Sequence, residues 1–118
     1  MELSNFPKEI QAKAISLSEI GVSEFAWESE DVKYVIEFCQ KNSVGILGGD
    51  VLEVGYEGQI RFLHTNWYLN SDQFLKFVDF VDASCKLAKE KVELYTLQYP
   101  DKLLLYSLVI TKNIHPLK

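Results

Sequence analysis

No stretch of the chain approaches the roughly 18 uninterrupted apolar residues of a membrane helix, and no lysine or arginine cluster is dense enough to track a phosphate backbone. The first absence argues against a membrane-embedded protein, and the second makes nucleic acid a poor partner. Histidine is confined to His64 and His115 and cysteine to Cys39 and Cys85. Neither type shows the close ligand spacing of a zinc site, so no metal or cofactor is expected. The two cysteines are too few for a disulfide framework, and each falls on the apolar side of a predicted helix, as core thiols in a reducing compartment do. The opening MELSNFPKEI has no continuous apolar segment, so a secretory signal is not expected there. Internal repeats, low-complexity tracts and linkers are also missing, which leaves one domain over residues 1–118.

What is present is a well-mixed chain of 118 residues, 47% hydrophobic, with 17 acidic residues against 12 basic ones and a net charge of -5. A domain of this size buries about two thirds of its unfolded surface in a single core. The negative balance suits a meeting with a basic surface, and on charge alone solubility accounts for it more simply.

In chain order, Pro7 to Ile20 reads as a first amphipathic helix with Ile10, Ala14 and Leu17 at helical spacing, ended by Gly21. Val22 to Trp27 is a short apolar connector whose tryptophan is expected to plug the core. Ser29 is a candidate N-cap for a second helix with the stripe Val32, Val35, Ile36 and Cys39. Val44 to Tyr68 reads as two strands joined by the Gly55 to Gly58 turn. Ile60, Phe62 and His64 alternate there with Arg61, Leu63 and Thr65, and the Gly48-Gly49 pair predicts a bulge or a close backbone approach. Asn70 with Gln73 resembles a capping box for a third, long helix, whose stripe runs through Phe74, Phe77, Val78, Val81, Cys85, Ala88 and Val92. Phe80, Leu87 and Leu94 give that helix spare apolar surface, which is compatible with a homodimer. Leu103 to Thr111 is apolar on both alternating faces, the mark of a central strand. Lys112 to Lys118 reads as a surface tail. The sum is an α+β domain, three helices packed on a small, mainly antiparallel three-stranded sheet.

No catalytic constellation stands out. His64 lacks a positioned nucleophile and reads as an ordinary strand histidine. Gly48-Gly49-Asp50 lacks the neighbours of a nucleotide-cyclase signature, and two adjacent glycines do not make a phosphate loop. Asp50 and Glu53 read with equal weight as an acidic spot for a partner's lysine or arginine and as acceptors pinning the hairpin. Trp67 and Tyr68 have the chemistry of both core-edge residues and binding hot spots. Glu28 and Glu30 sit in an acidic group that helix-start chemistry partly explains. A small-molecule or enzymatic pocket near Asp50, His64 and Trp67 is the rival reading.

Taken together, GVSEFAWESEDVKYVIEFCQKNSVGILGGDV from Gly21 to Val51 and the later NWY at Asn66 to Tyr68 resemble the bacterial immunity protein 40 family, small α+β proteins encoded beside polymorphic toxins. Thr65 stands where related sequences often carry an aspartate. The resemblance implies a cytoplasmic, non-catalytic protein that binds and neutralises a cognate toxin. The expected partner-contacting residues are Asp50, Glu53, Trp67 and Tyr68, with Glu28 and Glu30 as an acidic rim.

Overall fold

The computed structural model describes residues 2–111, so the expected tail Lys112 to Lys118 lies outside the described residues. Its elements are α1 (Lys8–Lys13), β1 (Ile15–Ser16), β2 (Phe25–Glu28), α2 (Ser29–Lys41), β3 (Ile46–Val54), β4 (Ile60–Tyr68), α3 (Phe77–Gln98) and β5 (Leu103–Ile110), with short 3-10 turns at Leu3–Asn5, Ser18–Ile20 and Ser71–Gln73. The strands form one antiparallel sheet in the order β1-β2-β5-β3-β4. The expected sheet of three strands is therefore corrected to five. The two extra strands are two and four residues long, too short for alternation to be visible in the sequence. The last strand is central as expected, with Leu104 through Leu108 all buried.

All three helices pack on one face. Ile10 of α1, the stripe Val32, Val35, Ile36 and Cys39 of α2, and Val81, Cys85, Ala88 and Val92 of α3 share one cluster with Trp27, Val51, Trp67 and Tyr106. The buried hydroxyls of Tyr106 and Ser84 find partners in this core. Tyr106 donates its hydroxyl to the Val92 carbonyl at 3.2 Å and lies 2.8 Å from Thr96 Oγ1. Ser84, fully buried in α3, accepts from the Ile46 amide at 2.9 Å and donates to the Val81 carbonyl at 3.1 Å, tying helix to sheet where β3 begins.

The first helix is shorter than its periodicity predicts. Trp27, fully buried, donates its indole N–H to the Ile10 carbonyl at 3.0 Å, and the Ala14 amide turns to Gln11 instead. The chain leaves helical geometry there, and Leu17 folds over the opposite face of the sheet with Ala26, Leu52, Ile60 and Leu105. Gly21, at φ 81, ends the Ser18–Ile20 turn rather than a long helix.

The third helix also starts later than expected. Asn70 Oδ1 accepts from the Asp72 amide at 2.9 Å, but this caps the 3-10 turn Ser71–Gln73, and α3 begins at Phe77. Phe74 packs on Phe80, ring centroids 5.8 Å apart. In a continuous helix residues six apart stand about 120° apart around the axis and about 9 Å along it, so this contact goes with the break. Phe80 is consequently buried, whereas Phe77 and Val78, expected in the stripe, are exposed along with Leu94 and Leu97.

Candidate functional site

Two bulges shape the β3–β4 hairpin. On the β5 side the register of β3 shifts between Ile46 and Gly48, and on the β4 side it shifts where Val51 pairs with Thr65 but Leu52 with Phe62. The second shift places extra residues at Leu63 and His64. His64 adopts φ 58, a left-handed conformation in which histidine is several-fold enriched among non-glycine residues. The regular alternation read across Ile60 to Thr65 is thus interrupted at its middle. Leu63 in the bulge and Trp67 beyond it face the helices, while Ile60 faces the other side.

The glycine pair exists for Trp67. Gly48 and Gly49 pair with Tyr68 and Trp67. A Cβ on Gly49 would stand 2.7 and 2.8 Å from Cζ2 and Cζ3 of the indole, and one on Gly48 would collide with the Trp67 carbonyl oxygen. Trp67 is only 7% exposed, and no described residue accepts from its Nε1. GGD and NWY are therefore two halves of one packing arrangement. The tryptophan is a core residue of the helical face.

Asp50 follows this arrangement on the opposite face, because side chains alternate across a strand. It pairs with Asn66 of β4 and Ser107 of β5. The row beside it holds Tyr68, Gly48 and Val109, and the row beyond holds Leu52 with Phe62. Tyr68 is 71%, Val109 51% and Phe62 41% exposed. Asp50 thus sits among accessible aromatic and apolar side chains on the helix-free face. It lines an open depression of about 480 Å³ that also includes Glu2, Glu24, Phe62 and Val109. Partial burial raises its carboxyl above the usual aspartate value. No hydrogen bond or ion pair from a described residue compensates, so the carboxylate does not pin the hairpin.

Glu53 is placed differently. Three residues beyond Asp50, it faces the other way, so the two carboxylates do not form one acidic spot. Glu53 Oε1 accepts from Lys102 Nζ at 2.8 Å, and Oε2 lies 3.2 Å from Arg61 Nη2. The hydrogen bond from Lys102 is the main cause of its carboxyl being held below the ordinary glutamate value. It joins β3, β4 and the turn before β5. Glu28 and Glu30 are exposed at the junction of β2 and α2, where they line a smaller depression of about 250 Å³ with Lys102 and Tyr99. From the pairing of Glu28 with Leu105 and of Asp50 with Ser107, sheet spacings put Glu28 about 12 Å from Asp50. It is a neighbouring feature, outside the Asp50 row.

The alternative pocket fails on the same geometry. Asp50 and Trp67 lie on opposite faces of the sheet, and His64 is exposed in the bulge without lining the depression. Among the described residues no three His, Cys, Asp or Glu side chains gather to hold a metal ion, and no helix is long and apolar enough to cross a membrane. Sequence reasoning missed Phe62 and Val109 as companions of Asp50. Val109 became visible only through the register of β5 against β3.

A family model described as Immunity protein 40 matches residues 16–110. No curated protein and no solved structure gives a significant match to the chain.

Proposed function

The chain belongs to the Immunity protein 40 family, and from that membership we propose that it neutralises a bacterial toxin in the cytoplasm by binding it directly, without catalysis. The binding surface is the helix-free face of the sheet, centred on Asp50 and Tyr68. The observation that supports this surface is Asp50 itself. A carboxylate partly stripped of water, with no compensating partner among the described residues, costs stability where it stands. Its position among exposed Tyr68, Phe62 and Val109 gives that cost a use. An apolar surround with a central charge is the composition of an interface hot spot, and a lysine or arginine of the toxin is its natural counterpart.

The other expected contacts take different roles. Trp67 and Glu53 support the hairpin, one by packing and the other by ion pairing. Glu28 and Glu30 form an acidic rim toward the far end of the sheet and act on the encounter rate more than on the final complex. The experiment is coexpression with the toxin encoded in the adjacent reading frame. Rescue of growth and a co-purifying complex are expected, and unrelieved toxicity with no complex contradicts the reading.

A further inference from the structure

The two edges of the sheet are built differently. β1 closes one side with two residues, whereas β4 presents on the other an edge nine residues long that no further described strand pairs with. Backbone groups point alternately to either side along a strand. Leu69 directs its N–H to the Leu47 carbonyl at 2.8 Å, so the N–H and C=O groups of Asn66 and Tyr68 point away from β3. No described residue hydrogen-bonds to them. Natural edges are commonly blunted by proline or lysine, and Ile60–Tyr68 contains neither. The bulge at Leu63 and His64 is the one interruption, and it sets off Thr65–Tyr68 as a short regular template.

We propose that the Thr65–Tyr68 edge of β4 receives an extended strand of the toxin, which lengthens the sheet by one strand. This rests on the toxin-binding reading above. Unpaired amides and carbonyls on an edge select an extended backbone, and main-chain hydrogen bonds then supply affinity while side-chain pockets supply specificity. Tyr68 joins this edge to the helix-free face, because its backbone belongs to the first and its ring to the second. A strand added there lies two spacings from β3, about 10 Å from Asp50. Its side chains on the helix-free face pass Tyr68 and Asn66, and a lysine or arginine among them reaches Asp50. The occupant is therefore an extended segment carrying a basic residue. A second copy of this chain is a poorer match, since each copy carries a net charge of -5 and brings the same acidic face.

Hydrogen exchange on the wild-type protein, free and with the toxin from the adjacent reading frame, tests this directly. The amides of Asn66 and Tyr68 are expected to slow at least tenfold in the complex. Asn66→Pro removes an outward N–H at an edge position where proline is tolerated, and it is expected to weaken the complex at least tenfold with the melting temperature little changed. A complex that forms while both amides exchange at their free rates overturns the proposal, with toxin binding intact. Slowing that appears with concentration in the absence of toxin overturns it in favour of self-association. Absence of any complex with the wild type overturns the toxin-binding reading and this proposal with it. If Asn66→Pro fails to fold, the wild-type exchange result still decides.

Discussion

The six-membered ring of Trp67 lies over Gly49 so closely that a methyl group on residue 49 would stand within 2.8 Å of Cζ2 and Cζ3. Gly49→Ala therefore overpacks the helical face and is expected to cost about 2–3 kcal/mol in denaturant unfolding. Trp67→Ala is expected to cost about 3–5 kcal/mol. In the double variant the clash has nothing to meet, so Gly49→Ala on the Trp67→Ala background should cost under about 1 kcal/mol. Additive penalties would show that Gly49 is needed for some other reason.

Glu53 holds Lys102 and Arg61 at once, and its carboxyl is lowered from 4.5 chiefly by the Lys102 hydrogen bond. A lowered native value means that the pair's stabilisation is complete above 4.5 and is lost as pH falls through the lower value. Glu53→Gln is expected to lower the melting temperature at pH 7 by up to about 4 °C, the scale of a partly exposed ion pair. The gap to wild type should close in acid. A gap that persists unchanged at pH 2 would assign the effect to packing.

Asp50 has the opposite sign. Burial raises its carboxyl from 3.8, so between that value and the raised native one the folded protein holds more protons than the unfolded chain. Stability therefore falls as pH rises through that window, and the full cost is present at pH 7. Asp50→Asn is expected to raise the melting temperature at pH 7 by about 1–2 °C and to match wild type below pH 3.8. A lower melting temperature would mean that the carboxylate supports the hairpin.

Cys39 and Cys85 are both free and buried. Burial pushes their thiols up to about 12 and about 11, which leaves almost no thiolate at pH 8. Neither should react with a thiol-specific dye within an hour in the native state, and both should react in denaturant. Rapid native labelling would contradict their placement between helices and sheet.

Much of this arrangement was legible in the residues. The stripe of α2, the hairpin and the central β5 each carry an apolar period long enough to read. The glycine pair announced a bulge or a close approach, although what approaches, the carbonyl and ring of Trp67, lies on another strand where no local pattern shows it. The odd spacing of Asp50 and Glu53 along one strand sets them on opposite faces, which corrects their reading as one acidic spot. Other features depend on tertiary structure. Trp27 engages the Ile10 carbonyl and ends α1, Phe74 reaches Phe80 and delays α3, and His64 enters a left-handed bulge with no glycine to signal it. The Asp50 face follows from register, because Val109 and Tyr68 meet it only after β5 and β4 have paired with β3.

Titration of the toxin from the adjacent reading frame into wild-type protein and into Asp50→Lys, with both melting temperatures recorded, tests whether Asp50 stands at the centre of the interface. Reversing the charge at the centre of an interface replaces attraction with a like-charge contact. A central place for Asp50 predicts a tight complex with wild type and binding weakened at least a hundredfold by Asp50→Lys, with the two melting temperatures within about 3 °C of each other. Equal affinity of the two proteins for the toxin would contradict it.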